Sequence, residues 1–120
     1  MTDQDPSPVL LVACLCASWC TTCGEFRDTF ERLRKANGAA RFVWLDVEGD
    51  SALMGEIEVE SFPTLAVFRG DQPLFYGVTM PHEGVVARTL ASLMRPDAGA
   101  VAVPEEIAGL PGALRNGARA

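Results

Sequence analysis

The stretch Ser18-Trp19-Cys20-Thr21-Thr22-Cys23 constrains this chain more than any other. An apolar run, Val9-Leu10-Leu11-Val12-Ala13, leads into it, and a strongly patterned helix follows. A Cys-x-x-Cys pair at a strand-to-helix junction is the sequence form of a redox dithiol. Cysteines three apart in the first turn of a helix share a face and come close enough to bridge. The first sits where unpaired backbone N–H groups and the helix dipole favour an anion. The second is deeper and more shielded. Cys20 is therefore expected to attack and Cys23 to resolve.

The bulk properties narrow the rest. A chain of 120 residues suffices for one domain with its own core. The net charge of −6, with no basic cluster, argues against nucleic acid as a partner. No apolar run reaches membrane-spanning length. Leu11-Val12-Ala13-Cys14 resembles a lipoprotein cleavage box, but Asp3 and Asp5 stand where a positive leader would be. Cys14, Cys16, Cys20 and Cys23 crowd into ten residues, unlike the spread cysteines of a secreted disulfide framework. The expectation is a cytoplasmic protein with one functional pair.

Along the chain, 1–8 is a loose lead-in and 9–16 a strand buried on both faces. Residues 21–36 form a helix with Phe26, Phe30 and Leu33 as its inner stripe. Arg27–Glu31, Asp28–Arg32 and Glu31–Lys35 are spaced as ion pairs on its wet side, and Asn37-Gly38 ends it. Phe42–Val47 is a second strand, implying a right-handed parallel crossover. A short helix is expected over 50–57. Leu65–Phe68 and Pro73–Tyr76 flank Gly70-Asp71-Gln72 as a hairpin, with Pro73 at a strand start or an edge. Residues 82–94 are a closing helix with Val85, Val86, Leu90 and Leu93 inward. The domain is thus 9–95. Beyond it, 96–120 is rich in Ala, Gly and Pro and is expected to be a flexible tail. The rival reading is a docked arm using Val101, Val103, Ile107, Leu110 and Leu114.

The order βαβ then ββα, with Trp-Cys-x-x-Cys after the first strand and Val-x-Ser-Phe-Pro-Thr before the hairpin, resembles the thioredoxin family over residues 9–94. Trp19, Pro63 and Gly77 match together with the dithiol. With no room for the family's extra first strand and helix before residue 9, a shortened version of the fold is expected. The resemblance implies an α/β thioredoxin-like fold, a central mixed β-sheet flanked by helices. It also implies a thiol–disulfide oxidoreductase with no cofactor beyond a redox-active Cys20–Cys23 disulfide. Cys20 is then the nucleophile and Cys23 resolves, while Trp19 shields the pair. Pro63 is similar to the family's cis-proline, which would turn the Phe62 backbone toward the dithiol to bind substrate. Implied partners are protein disulfides and a thioredoxin-reductase-like or other thiol electron donor. A monomer is expected.

Departures from the family pattern matter. Cys14 stands where a buried acid is usual, and Trp44 replaces a lysine on the next strand. Thr21-Thr22 replaces Gly-Pro. Asp46, on the strand face of Trp44 and nearer the dithiol end, is the candidate proton acceptor for Cys23, against a plain turn-capping role.

The remaining residues have bland readings beside sharp ones. Cys14 and Cys16 share a strand face and are expected to be small buried hydrophobes. The sharper reading makes Cys16 a reserve thiol that trades disulfides with the dithiol. Four close cysteines would also suit zinc, but two lie in a core strand rather than a knuckle, so no metal is expected. His82 is a helix-start residue, and Glu56, Glu58 and Glu60 form a solvated face. Two functions remain: an oxidoreductase that reduces or exchanges protein disulfides, or a redox-sensing or protein-binding module without turnover.

Overall fold

The computed structural model describes residues 10–17, 19–38, 40–49, 59, 62–79, 82–95 and 97–117. The lead-in, the helix expected over 50–57 and the Glu56–Glu60 face lie outside the described residues. Strands β1 (Leu10–Cys16), β2 (Arg41–Asp46), β3 (Thr64–Arg69) and β4 (Gln72–Val78) form one sheet in the order β2-β1-β3-β4. β1 runs parallel to β2 and antiparallel to β3, and β3 and β4 close as an antiparallel hairpin. This is the expected mixed sheet. Every residue of β1 is buried, as its unbroken apolar run requires of a central strand.

Helix α1 (Thr21–Ala36) carries the chain from β1 back to β2. Its Phe26, Phe30 and Leu33 pack on the sheet face that holds Leu10, Val12, Cys14 and Cys16. Fully burying each such side chain contributes about 1.5–3 kcal/mol. Phe30 lies edge-on to Trp44 and Phe42, so β2 contributes an aromatic layer to the same core. Asn37 closes the helix, its side-chain amide donating to the Leu33 carbonyl at 2.8 Å. Helix α2 (Glu83–Leu93) covers the rest of this face with Val86 and Leu90. The ion pairs differ from those the spacing suggests. Glu31 binds Arg34, Arg32 reaches across to Glu83 of α2 at 2.9 Å, and Arg27 lies over the Trp44 ring.

The opposite sheet face decides between the two readings of 96–120. Leu11, Ala13 and Leu15 of β1, with Ala66 and Phe68 of β3, point away from α1. Helices α3 (Glu105–Ala108) and α4 (Leu110–Gly117) cover them, burying Ile107, Leu110 and Leu114. Over the described residues of this segment, the packing is that of a docked arm rather than of a flexible tail. The physical reason is the second apolar face, which would otherwise face water. The arm also borders the sheet: the Val101 N–H donates to the Pro73 carbonyl at 2.9 Å. Pro73 lies on edge strand β4, opposite Phe68 beside a register shift, where a missing N–H costs no ladder bond. Gly70, at φ 62°, supplies the left-handed first corner of the hairpin turn.

Candidate active site

The site lies where β1 ends and α1 begins. After Ala17 the chain turns tightly, with the Cys20 N–H donating to the Ala17 carbonyl at 3.0 Å. Cys20 is the N-cap of α1, in extended backbone and with no side-chain cap bond. Its carbonyl accepts the Gly24 N–H, the first bond of the helix. Cys20 is half-buried and its thiol is free. Cys23, one turn deeper, is 2% exposed and faces the sheet.

The bridge expected between Cys20 and Cys23 is not the one present. Cys23 is bonded to Cys16, with Cα atoms 5.8 Å apart, and Cys20 stands outside the bond. The reason is the packing of α1 on β1. Cys16 is the last residue of the strand, on its α1 side, and the inward face of the first helical turn brings Cys23 against it. A Cα separation of this size suits a disulfide. Cys14 and Cys16 are both buried on one face, as expected, but Cys16 is more than a small hydrophobe. The Cys14 Sγ lies 3.7 Å from the Cys16 Sγ. A bridged Cys16 carries no proton, so Cys14 is the donor there. Burial pushes the Cys14 thiol well above the usual range, with Arg27 opposing weakly, so Cys14 stays protonated.

The rim of the site is aromatic. Trp19 is 66% exposed and stands edge-on to Phe62, with ring centroids 5.6 Å apart. The Phe62–Pro63 peptide is cis. Trp19 and Phe62 thus come together beside Cys20, and Pro63 is buried behind them. On the inner side, a cleft of about 320 Å³ is lined by Ala17, Cys23, Gly24, Arg27, Trp44 and Asp46. Asp46 is a turn cap: its Oδ1 accepts the Glu48 N–H at 2.8 Å and the Gly49 N–H at 3.0 Å. Those bonds, Gly49's foremost, hold its carboxyl below the usual range and make it a weaker base. It nonetheless shares the cleft with Cys23. Sequence reasoning missed Arg27, whose guanidinium lies 4.6 Å from the Trp44 ring centroid in this cleft. The signal was there: Arg27 follows Cys23 by four residues and so shares its helix face. Among the described residues, no group of three or more His, Cys, Asp or Glu is gathered to hold a metal. Among them too, no helix is long and apolar enough to cross a membrane.

The thioredoxin family model matches residues 4–92. The chain belongs to the thioredoxin family. Its solved structural relatives include the germline-specific thioredoxin Deadhead of Drosophila melanogaster, with a TM-score of 0.64 and 25% identity, covering 72% of this chain and 83% of that one. The thioredoxin of Fasciola hepatica has a TM-score of 0.64 at 20% identity, covering 71% and 81%. Oxidised mitochondrial thioredoxin 3 of Saccharomyces cerevisiae has a TM-score of 0.62 at 23% identity, covering 72% and 80%. No curated protein matched the sequence. Family and fold, with a cysteine pair at bonding distance, support thiol–disulfide oxidoreductase chemistry.

Proposed function

We propose that this thioredoxin-family protein reduces or exchanges protein disulfides, with Cys20 as nucleophile and Cys23 as resolving thiol. The observation that carries the reading is the half-exposed, free Cys20 at the head of α1, beside the Trp19–Phe62 rim. A helix N-terminus and an apolar lip suit attack on an extended substrate segment. In this reading the Phe62 backbone pairs with that segment, and Trp19 packs over it. Cys20 attacks one substrate sulfur and the other leaves as a thiolate. Cys23 then attacks Cys20 and releases the substrate reduced, leaving a Cys20–Cys23 disulfide for a reductase or small thiol to reduce. The proposal extends to a monomer working in the cytoplasm with a thioredoxin-reductase-like or other thiol donor.

One feature favours a second reading, a redox-sensing or protein-binding module without turnover. Cys14, held neutral by burial, occupies the position of the acid that would take the Cys23 proton. Insulin reduction with dithiothreitol, and with a thioredoxin reductase and NADPH, separates the two. Turnover that accelerates precipitation over the donor alone, and is lost in Cys20→Ser, is expected of the enzyme. No acceleration, with Cys20 still open to alkylation, would leave the module.

A further inference from the structure

We propose that Cys16 is a second exchange partner for Cys23, so that the oxidised protein can hold its disulfide as Cys16–Cys23 and keep Cys20 as a free thiol. This rests on the oxidoreductase reading and adds a third sulfur to it. The geometry is direct. Cys16 and Cys23 are bonded across the β1–α1 contact while Cys20 remains free and half-buried. Cys20 and Cys23 occupy the N-cap and third position of α1, the pair whose groups approach each other in a capping box. Cys23 is thus positioned between two sulfurs, one in the core strand and one at the surface.

The exchange needs no outside oxidant. From a Cys20–Cys23 disulfide, the Cys16 thiolate attacks the Cys23 sulfur. The Cys16–Cys23 bond forms as the Cys20–Cys23 bond breaks, and Cys20 leaves as a thiolate. The proton lost by Cys16 ends on Cys20 or in water, and one disulfide and one thiol stand on each side. Cys20 leaves toward solvent at the helix N-terminus, whereas Cys16 is 1% exposed, so solvation favours the buried bridge and the open thiol. Cys14 fits this scheme. Its protonated sulfur, 3.7 Å from Cys16, can donate to a Cys16 thiolate and steady the attacking anion. Burial holds the proton on Cys14, and that S–H beside Cys16 is what makes Cys16, of the two buried thiols, the one whose thiolate is stabilised.

The functional consequence concerns Cys20. With Cys23 tied to Cys16, a mixed disulfide on Cys20 cannot be resolved from within the dithiol. An incoming substrate thiol must resolve it, as disulfide shuffling requires and simple reduction does not. The protein would reduce substrates while Cys23 is free and shuffle their disulfides while Cys23 is tied.

The test oxidises the full chain with glutathione disulfide, alkylates free thiols with iodoacetamide, and digests with chymotrypsin. Cleavage after Leu15, Trp19 and Phe26 puts Cys16 on one peptide and Cys20 with Cys23 on the next. The expected product is a cross-linked pair of peptides, joined through Cys16 and Cys23, with Cys20 alkylated. Cys16→Ala should abolish rapid alkylation of Cys20 in the oxidised protein. Cys20→Ser, which cannot form the usual pair, should still lose two thiols on oxidation. Only a Cys20–Cys23 loop within one peptide, with Cys16 alkylated, overturns the inference and leaves the oxidoreductase reading intact. No bridge at all, together with no insulin reduction, overturns both.

Discussion

Replacing Leu114 with alanine tests whether the arm beyond residue 95 belongs to the fold. Leu114 has no exposed surface and packs with Ile107 and Leu110 against Leu11, Leu15 and Phe68. Buried Leu→Ala changes cost about 2–5 kcal/mol, the spread reflecting how far the cavity collapses. Leu114 lies in a helix of only 8 residues, where relaxation is easier, so about 2–3 kcal/mol is expected. Against a total stability of about 5–15 kcal/mol, that is a large fraction. In a chain of this size it should lower Tm by roughly 10 °C. Urea unfolding followed by circular dichroism reads it as a lower midpoint with an unchanged slope. Val101→Ala, on an exposed residue of the same arm, should shift stability by under about 0.5 kcal/mol. If Leu114→Ala behaves like Val101→Ala, the arm is not docked and the second sheet face must be covered some other way. The site would feel the loss too, because Leu15 and Cys16 are neighbours on β1 and face opposite ways.

Two further perturbations address proton handling. Cys14→Asp should accelerate release of a mixed disulfide from Cys20 in single-turnover experiments, because a carboxylate facing Cys23's core can take its proton. It should cost about 1–3 kcal/mol by burying a polar group, and unchanged release in a folded variant would show that another group already serves Cys23. Asp46 is tested by pH. Its carboxyl is held below the usual range by the Gly49 and Glu48 N–H groups, so its contribution to stability is full above the unfolded carboxylate range. That contribution is lost as pH falls through the lower folded value. Asp46→Asn should flatten the acid limb of stability against pH while insulin reduction persists. A large loss of turnover with the same stability profile would instead make Asp46 the proton acceptor.

Local signals carried much of the fold. The inner stripe of α1 and the unbroken apolar β1 were legible because each is written in consecutive residues at its own period. The hairpin was legible from Gly70-Asp71 between apolar runs. The arm was not, because Pro104, Gly109, Pro111 and Gly112 lower helix propensity while burial on a vacant sheet face overrides it. Its pattern was nonetheless present: Ile107, Leu110 and Leu114 are spaced three and four apart, and Glu105-Glu106 follow Pro104 as first-turn acids. At the site, the spacing marked Cys20 and Cys23 and placed Cys14 and Cys16 on one buried face. It left Cys16 open between a small buried hydrophobe and a reserve thiol trading disulfides with the dithiol, and did not decide that Cys16 meets Cys23. That contact depends on how α1 seats on β1, a tertiary fact with no local spacing rule.

The role of Cys20 as nucleophile is tested most directly by a trap. Cys23→Ser protein is mixed with a peptide disulfide, quenched with acid, and mapped for the sulfur that holds the peptide. Without its resolving thiol, the protein should retain the peptide as a stable mixed disulfide on Cys20, the free and half-exposed sulfur at the head of α1. A peptide found on Cys16 or Cys14, with Cys20 unmodified, would contradict the assignment of Cys20 as the nucleophile.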